Sequence, residues 1–584
     1  MADYRTDDDR ARDIIQRLDH LKSIRLKYES AIDECIEFCA PDLMQINQQD
    51  SQGVKAGQTV YDGTAISALN LLADGLHGYL VSPAIRWFSL TLPIKMPQMR
   101  ASGNMRQWGG KSIDEMPDVK EWLEVVEEVM YADFRASNFY ETTPTFFRQG
   151  GAVGTVSCFL EEDPKTGRLV FFVPHFRECF IAQDRFGRID TNYRVWPTTN
   201  RDLADKFGKE AIQELDPNFI QALKDHPYAE RKIIHAIFPR ADYDAGKMDN
   251  KNMPVASVWM LESGPKKIIR ESGFPVSPSI TWRWTTNSNE WYGRSPSWFA
   301  MVDILKAQQQ ALSNLKAGHR ASDPPYAMLE SLRGRANLNA GGRTYLKNME
   351  QVPQILDQGL RGIPIALEFE QATQNAIKEH FHVDFFMLLS QAAFQKVNIT
   401  ATQVIEMQGE KAAVLGTRIG RLQSEFLNPV IDQVFSKESE NGAFPPPPDI
   451  IYEFQGAKIE VDYVGPLAQA QKRLFKTQNI NAALSSLGVF AQVDPTGGLL
   501  QEVLDNIDTD ITTREILESH GMPAKCIRND DERRAVREAR AQALQAQMVN
   551  QGLLDVAKAA PGLGKAPESG SPLDNLGKVM GGAQ

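Results

Sequence analysis

The chain has 584 residues, 42% of them hydrophobic and 24% charged, and a formal net charge of −11. That length exceeds what one hydrophobic core supports, so several domains are expected, with the composition of an ordinary globular protein. The acidic balance excludes a tight, charge-driven grip on nucleic acid, which needs a basic surface to neutralise phosphates.

The first predicted helix runs from Asp13 to Cys39, where Ile14, Leu18, Leu21, Tyr28, Ile32, Cys35 and Cys39 recur three or four apart and Arg25 breaks the run. Pro41 ends it. Asp62-Gly63-Thr64 introduces a second helix with an apolar stripe of Ile66, Leu69, Leu72, Ala73, Leu76 and Leu80. Met99 to Asp118 reads as an exposed polar loop, and Trp122, Val125, Val126 and Val129 open a third helix that runs to Phe134. From Val153 the period switches to strands: Val153–Leu160, Arg168–Pro174, Phe176–Gln183 and Arg188–Trp196. The turn signals DPKTG (Asp163 to Gly167) and QDRFG (Gln183 to Gly187) bound them. A short helical piece near Leu203 to Leu223 precedes strands at Lys232–Phe238, Val255–Leu261, Lys267–Arg270 and Ile280–Trp284, giving an α+β domain with an antiparallel sheet.

Trp298 to Arg320 is the next helix, stopped by Asp323-Pro324-Pro325. A short Gly-rich insert follows from Tyr326 to Pro364, and Leu367 to Gln395 is helical again. Phe394 to Ile399 interrupts the helices. Asn398 to Phe435 then reads as one long amphipathic helix, with Met407, Leu415, Ile419, Leu422, Phe426, Val430 and Val434 on one face and Thr400 or Thr402 as N-cap. At 1.5 Å per residue it reaches about 50 Å, a length that suits an element spanning an assembly. Four consecutive prolines before Asp449 form a stiff spacer. Leu467 to Ser519 reads helical, Asp530 to Lys558 is a polar helix, and Pro561 to Gln584 has the composition of a disordered tail.

Four segments resemble, in order, the head-to-tail connector or portal family of short-tailed bacteriophages: RWFSL at Arg86 to Leu90; YGRSP at Tyr292, Gly293, Arg294, Ser295 and Pro296; the long helix; and VDYVGPLAQAQ at Val461 to Gln471. In the long helix the likeness lies in Thr400 and Thr402, in LGxxxxRLQxE (Leu415, Gly416, Arg421, Leu422, Gln423, Glu425) and in Asn428-Pro429. The resemblance implies a helix-rich α+β portal-type fold assembled as a ring, with these regions: wing 1–297, first stem helix 298–320, clip 321–366, second stem helix 367–395, tunnel loop 396–401, long wing/crown helix and return strand 402–466, crown 467–525, C-terminal helix 526–560 and disordered tail 561–584. It also implies a homododecamer at one capsid vertex of the virion, assembled in the host cytoplasm. Its expected partners are double-stranded genomic DNA, the terminase large subunit, tail adaptor and tail proteins, major capsid and scaffolding proteins, and internal core or ejection proteins. The family carries out no bond chemistry and needs no cofactor. A ring of twelve multiplies the −11 of one chain, and an acidic channel wall would let a duplex pass without sticking.

Lys396, Val397 and Asn398, in the implied tunnel loop, are the candidates for touching DNA in the channel. Arg333, Arg335, Arg343 and Lys347 form a basic clip surface: either solvated charge or a contact for phosphates or an acidic partner.

Several constellations invite chemistry and are better read as structure. Gly109-Gly110-Lys111-Ser112 lacks the earlier glycine of a P-loop, a position filled by Met105. His380, His382 and Asp384 cannot share a metal ion if they lie on one helix, since residues two apart diverge by about 200°. Gly150, Gly151 and Gly154 suit a helix C-cap and tight turn. Trp282, Trp284, Trp291, Tyr292, Trp298 and Phe299, with Arg283 and Arg294, suit a domain-junction core more than a stacking platform for single strands. The five cysteines, Cys35, Cys39, Cys158, Cys179 and Cys526, are scattered and odd in number, which argues for reduced thiols without a zinc knuckle. The acidic opening is not expected to be a secretory signal, and Asp74, His77 and Arg86 break the most apolar stretch, so no membrane span is expected. GxSxG, HExxH and paired CxxC motifs are absent, and no metal site is expected. The rival readings are a terminase-like ATPase or nuclease, which lacks its P-loop, and a helical scaffold, which leaves four ordered motifs unexplained.

Overall fold

The computed structural model divides into two compact units, Met1–Lys476 and Thr477–Gln584. With short interruptions and a few positions near 510, it describes residues 7–43, 57–92, 116–337, 342–355, 363–387, 415–453, 459–465 and 528–559.

In the first unit α1 (Asp7–Cys39) serves two cores. Its first half sets Ala11, Ile14, Leu18 and Leu21 against a five-stranded sheet; its second half sets Ile32, Cys35, Ile36 and Cys39 into the main helical core. Arg25, which interrupts the apolar run, is buried at the join. Its guanidinium donates to the carbonyls of Arg177 at 2.6 Å and Cys179 at 3.2 Å, pairs with Glu29, and lies 3.8 Å above the Phe180 ring. The break in the stripe is thus a tie between the helix and the sheet.

Helices α2 (Thr64–Leu80), α3 (Pro117–Ala136) and α4 (Phe139–Val153) complete the main core with β1 (Phe88–Thr91). Met99 to Asp118 does not end as loop: Pro117 and Asp118 open α3, since proline is tolerated at a first turn where its missing N–H is not needed. Most of that segment lies outside the described residues.

The strands β2 (Thr155–Glu162), β3 (Leu169–Phe172), β4 (Cys179–Gln183), β5 (Ile189–Thr199), β6 (Glu230–Pro239), β7 (Val255–Leu261), β8 (Ile268–Phe274) and β9 (Ser279–Arg283) are all antiparallel, but they form two sheets rather than one. A three-stranded sheet has the order β3-β2-β9, and a five-stranded meander runs β4 to β8. The strand expected from Phe176 begins at Cys179, because Phe176–Glu178 is a 3-10 turn. The hairpin turns follow their turn chemistry: Asp163 and Asp184 accept backbone N–H groups two residues on, and Gly167 and Gly187 take φ of 67° and 82°. Short helices α5 (Asn200–Phe207), α6 (Lys209–Gln213) and α7 (Phe219–Asp225) cover the meander face opposite α1.

Helix α8 (Pro296–Ser322) and α9 (Ile363–His380) flank an insert that holds a two-stranded ladder, β10 (Tyr326–Ala327) with β11 (Gln354–Ile355). The helix expected over Leu367–Gln395 starts earlier, with Pro364 in its first turn, and stops at His380. His382 takes a φ of +55° and residues 383–387 begin a new helical segment, while 388–395 lie outside the described residues. Residues 415–440 are helical throughout, five residues beyond the expected end at Phe435. Within them Gln423–Leu427 form a π-helical turn before α10 (Asn428–Glu440). Pro429, at the second position of α10, has no N–H to offer, and Asn428 donates five residues back to Gln423. The segment after the prolines closes with β12 (Glu460–Tyr463). In the second unit the described side chains of α11 (Asp530–Ala559) are exposed apart from the half-buried Arg533, and Arg537 pairs with Asp510 at 2.5 Å. Among the described residues no helix is long and apolar enough to cross a membrane.

Candidate channel and assembly elements

The four motif segments meet in pairs. The strand of RWFSL is β1 and that of VDYVGP is β12; they pair antiparallel, Phe88 with Tyr463 and Leu90 with Val461. Helix α3 satisfies the backbone of β1 elsewhere. Buried Glu127 accepts from the Leu90 N–H at 2.7 Å and the Ser89 hydroxyl at 2.9 Å, and the Tyr131 hydroxyl bridges the N–H groups of Trp87 and Phe88 to the Phe88 carbonyl. Burial raises the pKa of Glu127 above the usual carboxylate range, against the opposing pull of these bonds and of Arg86. Trp87, Phe88, Phe134 and Phe139 fill the space beneath, each side chain contributing about 1.5–3 kcal/mol by leaving water.

YGRSP and the long helix meet around β9. Gly293 lies against Gly154 and Arg283, and its N–H donates to Thr155 Oγ1 at 2.8 Å. Ser295 caps α8 by accepting from the Trp298 N–H at 3.0 Å, and Pro296 follows as its first residue. Arg294 pairs with Glu290 and lies 5.0 Å from the Trp298 ring centre. The Tyr292 hydroxyl accepts from the Ile181 N–H at 3.3 Å, and burial raises its pKa to about 12. Glu425, in the π turn, receives the Arg283 Nη2 at 2.7 Å, the Arg283 backbone N–H at 2.9 Å and Arg421 Nη1 at 3.2 Å. The next residue, Phe426, stacks on Phe146 at 3.9 Å. Leu415 and Leu422 are buried on the same helix.

These observations place Trp282, Trp284 and Tyr292 in the core, with Trp298 part-buried and Phe299 exposed. The aromatic cluster is a packing junction, and Arg283 serves an ion pair there rather than a ring contact.

Helices α8 and α9 pack antiparallel. Asp303 faces His380 at 3.4 Å at one end and Asn314 donates to Glu370 at the other. Between them a buried polar staple holds both helices to the start of α2. Gln308 Oε1 accepts the N–H groups of Tyr61 and Asp62 at 2.6 and 2.9 Å, Gln308 Nε2 donates to the Asp62 carbonyl, and Gln374 donates to the Asp62 carboxylate at 2.7 Å. Ala300, Met301, Ile304, Ala307 and Ile377 turn into the main core, but both helices also carry apolar side chains in the open. Phe299, Val302, Leu315, Ile365, Leu367 and Phe369 are exposed, Val302 at 63% and Phe369 at 64%.

A profile of the family described as "Bacteriophage head to tail connecting protein" matches residues 11–527. The chain belongs to that family. The connector is also 29% identical over 559 residues to the portal protein of Salmonella phage epsilon15, covering 93% of this chain and 94% of that protein. Over 565 residues it is 29% identical to the probable portal protein of Bordetella phage BPP-1, again covering 93% and 94%. It is therefore a phage portal protein, a structural component of the virion and not an enzyme.

Within the connector Arg333, Arg335, Arg343 and Lys347 are all exposed on the insert between α8 and α9. Lys396, Val397 and Asn398, together with Thr400 and Thr402, lie outside the described residues. So does Gly109 to Ser112. His380 and His382 part company: the first faces Asp303, while Arg418 Nη1 donates to the second, whose pKa burial and the two neighbouring cationic groups lower to about 4. Among the described residues no cluster of His, Cys, Asp or Glu can hold a metal ion. Gly154 has the left-handed conformation expected of a C-cap, its N–H donating to the Gly150 carbonyl at 2.8 Å. Sequence reasoning missed the partners that Asp62, Gln308, Gln374 and Arg283 find in these bonds, which lie 142 to 312 positions away.

Proposed function

We propose that twelve copies of this connector close into a ring at one capsid vertex, around a channel through which double-stranded DNA is packaged and ejected. A ring needs two different faces on each copy that meet head to tail. The bare apolar side chains of α8 and α9 carry this reading, because six large hydrophobics on one helix pair are costly in water and are satisfied by a neighbouring copy. In this reading 1–297 is the wing, α8 and α9 are the stem, the insert between them is the clip, 396–401 is the tunnel loop, and 467–525 is the crown. The clip's basic side chains dock the terminase large subunit during packaging and tail adaptor proteins afterwards. The wing meets capsid and scaffolding proteins, and the crown meets internal core or ejection proteins. DNA contacts are independent of sequence and sparse, one Lys396 per copy against an acidic whole.

The test is Phe369→Glu, alone and with Val302→Glu, followed by sedimentation at fixed protein concentration. Charge placed on a buried subunit interface should turn the large species into monomers with unchanged circular dichroism. An unaltered large species would remove α8 and α9 from the interface.

A further inference from the structure

On the face of the meander covered by α5 to α7, four side chains stand in one row across the strands. Arg194 on β5 pairs with His235 on β6, His235 with Trp259 on β7, and Trp259 with Arg270 on β8. His235 is fully buried, stacked at 3.7 Å and 10° under the Trp259 indole, and bonded through Nε2 to Ser257 Oγ at 2.9 Å. Burial holds it neutral. The Lys206 ammonium, from α5, lies 3.9 Å from the centre of the same indole. The indole centre thus has both an imidazole and an ammonium within 4 Å.

Beside this stack is an open cleft of about 320 Å³, walled by Phe172, Trp196, Phe207 and Trp259. Arg194 crosses its wall, 3.8 Å from the Trp196 ring and 4.3 Å from that of Phe172, with its Nε donated to Glu178 at 2.8 Å. Two carboxylates line the cleft, Glu161 and Asp202, and Asp202 is engaged by the Thr199 hydroxyl at 2.7 Å. The Lys206 ammonium makes no hydrogen bond or ion pair among the described residues, and partial burial lowers its pKa. The Glu161 carboxylate opposes that shift, and Arg194 and Arg270 reinforce it. The cleft therefore combines aromatic walls with an ammonium that has no hydrogen-bond partner among the described residues, in a region of reduced dielectric where an anion is worth more than in open water.

We propose that this cleft is a docking site for a partner polypeptide, which inserts an aromatic side chain between the ring walls and pairs an adjacent carboxylate with Lys206. Charge complementarity selects the carboxylate, and the apolar walls select the ring that carries it in. The site is separate from α8 and α9, so it does not rest on the ring reading.

The probes are two blocked dipeptides, acetyl-Phe-Glu amide and its neutral counterpart acetyl-Phe-Gln amide, titrated against the full chain by saturation-transfer NMR. The acidic peptide should bind about tenfold more tightly than the neutral one, the worth of one charge-assisted bond. Lys206→Met, which keeps the stem over the indole and removes the charge, should bring both peptides to the weaker affinity with the thermal midpoint unchanged. Equal binding of the two peptides by the wild type, persistence of the tenfold preference in Lys206→Met, or no saturable signal at millimolar peptide would each overturn the proposal. Displacement of the acidic peptide by a lower concentration of thymidine monophosphate would also overturn it, by assigning the cleft to nucleotides.

Discussion

Gly154 and Gly293 touch backbone to backbone. A Cβ on Gly293 would stand 2.3 Å from the Gly154 carbonyl oxygen, and one on Gly154 would stand 2.6 Å from the Gly293 carbonyl oxygen. Neither obstacle is the far end of a flexible side chain, so the chain must move. Gly293→Ala should separate the C-cap of α4 from the YGRSP turn and cost about 2–4 kcal/mol. A thermal midpoint several degrees below wild type checks this, and an unchanged midpoint would refute the close approach.

Arg283 and Glu425 form a second join, between β9 and the π turn of the long helix. Removing Glu425 leaves the buried Arg283 guanidinium without its carboxylate, so Glu425→Ala should cost about 3 kcal/mol. The double variant Arg283→Met with Glu425→Leu should cost less than the sum of the single changes, because the two act on one interaction. Denaturant unfolding of the four proteins measures the coupling; strict additivity would mean the pair does not hold the helix.

Two histidines set a pH dependence. Burial lowers His175 and His382 to about 4 each, with Arg177 and Arg418 among the cations that assist. The unfolded chain takes up these protons nearer the usual value of about 6.5. Unfolding is therefore favoured as pH falls from there towards 4, and the stabilising effect of the neutral rings is fully present above that window. Each ring contributes up to about 3 kcal/mol across it. His175→Gln and His382→Gln should each flatten the slope of stability against pH between 6.5 and 4, and an unchanged slope would show that the rings are not buried neutral.

Much of this architecture is visible in the sequence, and the exceptions share a cause. Periodicity exposes α1, α2, α8 and the described part of the long helix, 415–435, because each turns one apolar stripe to a core. Gly154, Gly167 and Gly187 mark their turns because only glycine is comfortable at those φ values. The break after His380 has no such mark. It is made by packing, with Phe386 pressed onto Gly75 of α2, where a Cβ would stand 2.4 Å from the ring. The division of the strands into two sheets is equally hidden, since β2 finds β9 about 120 residues away. Arg25 reads only as a break in its stripe, and Arg283 as a ring contact in a junction core, because their acceptors are set by tertiary structure. The expected tunnel-loop residues carry no local signature and rest on resemblance alone.

On the proposed reading the basic insert serves docking and the loop lysine serves passage, and two sets of variants distinguish them. Replacing Arg333, Arg335, Arg343 and Lys347 together by Ala should leave stability within about 0.5 kcal/mol, as for exposed charges generally, while weakening salt-sensitive binding of the terminase or tail adaptor. Lys396→Ala should leave docking intact and alter packaging rate or genome retention. Particles that package and retain DNA like wild type would make the loop charge irrelevant.

Electron microscopy of the purified full-length chain bears most directly on the whole account. End-on views are expected to show a closed ring of subunits pierced by a central hole. Solid, unperforated particles, or a chain that stays monomeric at every concentration, would contradict it.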